Sequence, residues 1–466
     1  MSLFFTAILT LSSCLRSEEE DLIYYSDTAI SSFSLGTLNR YLHTTSSTGA
    51  DSVYKTTVTG SNYKMNIDQM AGLISNKDSL PYGTDISKVL ITVGAKNGGT
   101  VVLKSLKSDS LNYISTTDSL DFTQPRTLFV YAYDGSGRRQ YTVSLKVHQQ
   151  IADTLVWRQM ASNSAFTAMK AIKALALGTT LYVLGTDGTT TTVYATNDGQ
   201  TWRRVPGTFD ATAYQNAIIK GKYLYIYSNG ELQRTTGDDT WTTVTKVQLT
   251  HLVGAGTAAM YAINGNGRMA LSTDDGATWQ ADDMDDDALL LPSQDFSFAV
   301  LPSATNDSIE QLVLVGNRAP SLGDNTARVW TKTVDYSTTG ANHPGTWAFV
   351  TQDDGNRFLL PSLGSLSAFA YDEGLIALGG AGIGTSTVAA LSQMYYSLDG
   401  GITWRKDTRY TLPATLKADN SVVTATADAD HFIWIVSGQT GEVWHGRLNK
   451  LGWSQDNDLF LKAARP

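Results

Sequence analysis

The chain has 466 residues, of which 42% are hydrophobic, 10% aromatic and only 17% charged, so it exceeds the size at which one core keeps growing and predicts two domains. A net charge of −9 supplies no basic stripe for a phosphate backbone and excludes nucleic acid as a partner, and a single cysteine excludes a disulfide framework or a zinc–thiolate site within one chain. Forty glycines against ten prolines, with abundant Thr, Ser and Tyr, predict an all-β protein of short strands joined by turns.

Residues 1–21 open with an apolar run over 3–11, too short to cross a bilayer, which predicts an export signal. Leu11, Ser12, Ser13 and Cys14 follow. They resemble the lipobox at which bacterial lipoprotein precursors are cut and their cysteine lipidated, although no Lys or Arg precedes the apolar run. Arg16, Ser17, Glu18, Glu19, Glu20 and Asp21 resemble the acidic segment that routes lipoproteins of the Bacteroidetes to the outer face of the outer membrane. The resemblance implies lipidation at Cys14, a membrane partner through that anchor and a surface-exposed location in the outer membrane.

Over 22–150, strand-like runs at 89–93, 100–103 and 127–133 alternate with clusters of Gly, Asn, Asp and Ser. The turn Asp134, Gly135, Ser136, Gly137 and the alternating return over 141–147 predict a β-hairpin. With 80–87 and 120–123, this region resembles the small immunoglobulin-like modules that stand behind the lipid anchor in Bacteroidetes surface proteins. The resemblance implies a β-sandwich spacer without catalytic residues.

From 151 to 466 a repeat takes over. Apolar segments end in Trp157, Trp202, Trp241, Trp279, Trp347, Trp404 and Trp453, the first four about 40 residues apart, the period of a four-stranded propeller blade. A strongly hydrophobic strand lies at 181–184, 223–226, 260–263, 312–315, 375–378 and 432–435. A more mixed apolar segment precedes each, giving strands a and b of a blade; c and d follow. Six such strands predict a β-propeller of six blades, with seven as the alternative, and the strand at Trp157 is placed to close the ring beside the C-terminal blade.

Ser272, Asp274, Gly276 and Trp279 recur as Ser397, Asp399, Gly401 and Trp404, and in part as Asn197, Gly199 and Trp202. The carboxylate or amide accepts backbone N–H groups inside a tight turn, Gly supplies unusual backbone angles and Trp packs between sheets. This pattern resembles the Asp-box of sialidase-like propellers, and its place between strands c and d predicts a structural role at the blade periphery. The resemblance also implies an alternative, a divergent glycoside hydrolase or lyase. Sialidases need three arginines for a substrate carboxylate, the first in an aromatic-Arg-Ile/Val-Pro motif; Arg203, Arg204, Val205 and Pro206 lack the aromatic residue and directly follow Trp202.

No catalytic, metal or cofactor site is predicted. The acidic run Asp282, Asp283, Met284, Asp285, Asp286 and Asp287 lacks the spacing of a calcium loop and reads as a solvated loop. The glycine-rich 379–384 opens no helix and reads as a b–c turn, and His251, His343, His431 and His445 read as satisfied structural histidines. The b–c turns surround the funnel mouth opposite the boxes. There Asp187, Asn229, Asn264, Asn266, Asn317, Arg318 and Gln439 are the expected contacts for a hydroxyl-rich glycan or a surface-protein ligand.

Overall fold

A computed structural model describes residues 25–45, 51–238, 240–337, 345–351, 355–416 and 422–450. Cys14, the acidic segment, His343 and Trp453 lie outside these residues. The chain is all-β, with short 3-10 turns as the helical elements described. It divides into two compact units, 1–151 and 152–466.

In the first unit a six-stranded sheet runs in the order Met65–Asp68, Leu73–Asn76, Arg138–Ser144, Arg126–Tyr131, Thr100–Lys104, Leu111–Tyr113. Its centre is the hairpin Arg126–Tyr131 and Arg138–Ser144, and Leu73–Asn76 joins that hairpin in parallel. Alternation drives the pairing: Leu128, Val130, Tyr141 and Val143 are buried while their neighbours face outward, as a one-sided sheet requires. Ile30–Leu35 pairs with Ile91–Ala95 and adds Ile30, Phe33 and Leu35 to the same core.

The second unit is a ring of sheets. The first sheet runs Ala171–Leu177, Thr180–Thr186, Thr190–Thr196, Arg203–Asp210, and the second Ala217–Lys220, Tyr223–Ser228, Glu231–Thr235, Thr242–Lys246. The third, fourth and fifth begin at Leu249–Ala255, Gln294–Pro302 and Ser367–Tyr371, and the sixth at Val423–Ala427. Among the described residues these six sheets form a closed cycle, because each innermost strand packs on the next and Val423–Ala427 packs back on Ala171–Leu177.

The hydrophobic segments foreseen at 181–184, 223–226, 260–263, 312–315, 375–378 and 432–435 are all second strands, and Phe432–Ser437 and Gly374–Leu378 are buried at every position. Each is covered on both faces by neighbouring sheets, so apolar residues run continuously there. Outer strands such as Thr242–Lys246 are largely exposed. Leu155–Gln159 supplies the outermost strand of the sixth sheet, antiparallel to Val443–Leu448. A Cβ on Gly446 would stand 2.3 Å from the Trp157 ring, so only glycine lets the indole settle over the joint where the two ends of the ring meet.

Candidate functional site: the axial cavity

The inner strands run antiparallel to their followers, so a–b and c–d turns share one end of the ring and b–c and d–a connections the other. At the second end, at the starts of the inner strands, opens a cavity of about 100 Å³. Its wall includes residues 171–175 of the first sheet, Tyr214 and Gln215 leading into the second, residues 295–298 of the fourth, 365–369 of the fifth and 424–426 of the sixth.

A girdle of polar side chains sets the width of this opening. Thr424 Oγ1 accepts Ala174 N–H at 2.9 Å, Asn216 Oδ1 accepts Leu252 N–H at 3.2 Å, Ser297 Oγ accepts Ala368 N–H at 2.9 Å and Ser367 Oγ accepts Ala425 N–H at 3.1 Å. Four joints are therefore stapled by one side chain reaching the next inner strand. Inner-strand edges cannot pair fully in a splayed ring, and these acceptors satisfy amides that burial would otherwise leave unpaired. Lys173 and His251 depart from that chemistry. At the joint between the first and second sheets Lys173 Nζ donates to Gln215 O and Ala217 O, both at 3.1 Å. At the joint between the third and fourth, the His251 ring lies 4.5 Å from the Phe296 ring, with Nδ1 3.3 Å from Asn216 Oδ1.

Burial governs the charges here. Lys173 is lowered to about 8 by desolvation. His251 is lowered to about 4, by burial and by the neighbouring Lys173 charge. Tyr214 is raised to about 12, by burial and by the Asp295 carboxylate. Asp295 itself is raised by burial, against the opposing hydrogen bonds from Asn317 and Ser365. It sits at φ 54°, a left-handed conformation that Asp tolerates better than most residues.

Of the expected funnel contacts, Asn317 touches this site, through its Nδ2, which donates to Asp295 Oδ2 at 2.9 Å and to Leu363 O at 2.7 Å. None of the seven forms the cavity wall. The others hold their own turns. Asp187 Oδ1 accepts Thr189 and Thr190 N–H, and Asn264 Oδ1 accepts Asn266 and Arg268 N–H. Asn229 and Gln439 adopt left-handed angles of 52° and 62°, and the N–H of Asn229 donates to Asp210 Oδ2. Arg318 makes a two-pronged pair with Asp324, at 2.8 and 2.7 Å, which Arg328 also engages.

The repeated turns lie at the far end, after third strands; 272–279 leads into a fourth strand, whereas the fifth sheet has three strands and 397–404 is closed by the isolated bridge of Tyr396 with Arg405. In 272–279, Asp274 Oδ1 accepts Ser272 Oγ–H and Thr278 N–H, Oδ2 accepts Thr278 Oγ1–H at 2.7 Å, and Trp279 Nε1 donates to Gly276 O. The turn 397–404 repeats every one of these bonds with Ser397, Asp399, Thr403, Trp404 and Gly401. These carboxylates are spent on their own turns.

The third copy corrects the reading of 195–202. Asn197 does not hold that turn: Thr196 Oγ1 accepts Gly199 N–H at 2.9 Å, and Asp198 Oδ1 accepts Gln200 and Thr201 N–H. One residue fewer separates the carboxylate from Trp202, which displaced the alignment. Gly199 has φ 66°, and a Cβ there would meet the Trp434 ring at 2.5 Å. Near Trp241, Thr235 and Asp238 make a similar turn, so more survives there than Thr240 and Trp241.

Two further expectations change. In the acidic run, Asp283, Asp285 and Asp287 are exposed, but Asp282 is buried. Its carboxylate accepts Lys332 Nζ at 2.5 Å and Trp347 Nε1 at 2.8 Å, binding the outer edge of the third sheet to the fourth. His445 is stacked on Phe432 and packs at a tilt against Trp434, yet its buried Nε2 has no hydrogen-bond partner among the described residues, and burial lowers it to about 3.

Lys173, Tyr214, His251 and Asp295 were not singled out by motif. For Lys173 and His251 the signal is positional: at or just before each inner strand a polar residue precedes small or apolar ones, at Lys173, Asn216, His251, Ser297, Ser367 and Thr424, whereas no such signal marks Tyr214 or Asp295. Two of those six are titratable.

Among the described residues no group of three or more His, Cys, Asp or Glu is placed to hold a metal ion. No curated protein matches the sequence. Solved structures similar to this chain include YCF48 from Cyanidioschyzon merolae (14% identity, 62% of this chain and 98% of that one, TM-score 0.34). Another is the calcium structure of Trichoderma reesei Carbohydrate-Active Enzymes Family AA12 (13%, 64% and 96%, TM-score 0.39). A structural genomics protein of unknown function from Bacteroides thetaiotaomicron matches at 10% over 92% of this chain and 99% of that one, with TM-score 0.28. Residues 33–145 match the DUF6242 N-terminal domain, a domain of unknown function. Residues 151–456, most of the chain and all six sheets, match the DUF6242 beta propeller domain, and the chain therefore belongs to the DUF6242 family.

Proposed function

We propose that this protein is a non-catalytic binding protein of the bacterial surface, tethered through a lipid on Cys14, with its propeller presented above the membrane by an immunoglobulin-like spacer. The propeller receives a glycan or a surface-protein ligand around the mouth of the axial cavity, which takes up one small group of it, and its Asp-box turns serve architecture. The observation that carries the binding reading is the composition of the cavity wall, where Lys173, Tyr214 and Asp295 gather among apolar side chains, the mixture typical of ligand sites. Asp295 is the single carboxylate in that wall and no arginine joins it. Hydrolysis by a carboxylate pair needs two such groups about 5–10 Å apart, so the wall favours binding over the hydrolase or lyase alternative.

The test is a glycan array run beside a hydrolysis assay, with wild type and Ala171→Trp, which fills the cavity. Capture by wild type, loss in Ala171→Trp and no product support the reading; capture indifferent to Ala171→Trp, or product release, overturns it. Cys14→Ala tests the tether by membrane fractionation: release into the soluble fraction is expected, and unchanged membrane association contradicts it.

A further inference from the structure

Among the described residues Lys173 forms no ion pair. Its Nζ donates to Gln215 O and Ala217 O, which leaves one of three ammonium donors for the cavity, and desolvation lowers it. Lys173 is half-buried, and a partly desolvated charge without an ionic partner carries a cost, so a bound anion here gains by compensating it. The first and fourth sheets stand opposite each other in a ring of six, and the fourth contributes Asp295 to the same wall. Asp295 is bonded by Asn317 Nδ2. Ala174, Phe296, Phe298 and Phe369 supply apolar wall. The opening of about 100 Å³ corresponds to roughly three waters of liquid volume, room for a few heavy atoms.

We propose that the axial cavity binds a small hydroxy-carboxylate, with the carboxylate on Lys173 Nζ and a hydroxyl on Asp295. This rests on the cavity being the binding site. A free hydroxy acid and the acidic end of a uronate share the chemistry. The titratable groups facing Lys173 are Tyr214 and Asp295 in the wall and His251 behind Phe296. Tyr214 keeps its proton up to about 12 and His251 is neutral above about 4. Binding therefore weakens as pH rises through about 8, where Lys173 loses its proton.

The experiment is isothermal titration of the full chain with lactate, glucuronate, lactamide and glucose, using wild type, Lys173→Met and Ala171→Trp, with melting curves to verify folding. The acids bind wild type and the uncharged compounds do not. Lys173→Met weakens the acids by about tenfold or more, the scale of a lost charge-assisted hydrogen bond, and affinity falls between pH 7 and 9. Lactate alone assigns a free hydroxy acid and glucuronate alone a sugar acid. The proposal is overturned if lactamide binds as well as lactate, if no acid binds, or if folded Lys173→Met binds unchanged. Should Lys173→Met not fold, Ala171→Trp, which keeps both lysine hydrogen bonds, must abolish binding, and retained binding overturns the proposal. Glucose captured by wild type, lost in Ala171→Trp and indifferent to Lys173→Met removes the carboxylate while leaving the cavity as the binding site.

Discussion

Thr424 Oγ1 accepts the amide N–H of Ala174 at 2.9 Å across the joint between the sixth and first sheets, where the ring must close. Both residues are buried, so Thr424→Val leaves an unsatisfied amide at a cost of about 1–3 kcal/mol. Thr424→Ser retains the acceptor and should lose much less. Chemical denaturation of the two variants checks this, and equal losses would remove the staple from the account.

Asp274 predicts a pH effect. Hydrogen bonds from Thr278, first its hydroxyl and then its N–H, with that of Ser272, hold the carboxyl down to about 2 from an ordinary 3.8. A depressed carboxyl stabilises the fold fully above its unfolded value, and that contribution disappears as pH falls through about 2. Asp274→Asn should therefore melt below wild type at pH 7, with the gap narrowing between pH 4 and 2. A gap independent of pH contradicts the turn's electrostatics.

The buried pair of Lys332 and Asp282 predicts an asymmetric response. Lys332→Met strands a carboxylate that is 2% exposed and should cost about 3–5 kcal/mol, whereas Lys332→Met with Asp282→Leu should recover a large part, because apolar replacement of a buried pair is often neutral. Asp282 also holds Trp347 Nε1, so recovery should stop short of complete. A double variant no better than the single one defeats this reading.

Trp404 is buried and its indole N–H donates to Gly401 O. Trp404→Ala should cost about 3–5 kcal/mol through the cavity it leaves without altering ligand affinity in protein that remains folded. Affinity lost at full stability would give the far end of the ring a role in binding.

The propeller was legible because second strands are covered on both faces. Continuous runs such as 432–435 state their burial directly, and Trp residues recur with the repeat. Box turns were legible where the spacing is complete, as at Asp274 and Asp399, and misaligned where one residue is missing, so that Asn197 stood in for Asp198. The cavity was not legible. Lys173 and Asp295 lie far apart in sequence and line one cavity through ring closure, and no local motif marks an inner-strand position. Asn317 came closest, as a polar residue at the right end of its strand, but it reaches the site through Asp295. Asp282 was concealed by its neighbours, because an acidic run gives no sign of which carboxylate turns inward to a lysine 50 residues away.

The central claim is that ligand enters at the polar girdle and not at the Trp-bearing turns. Hydrogen–deuterium exchange of the purified protein with and without saturating captured ligand tests it most directly. Added protection is expected in peptides covering 171–175, 214–217 and 365–369, with 272–279 and 397–404 unchanged. Protection confined to 272–279 and 397–404 would contradict the account.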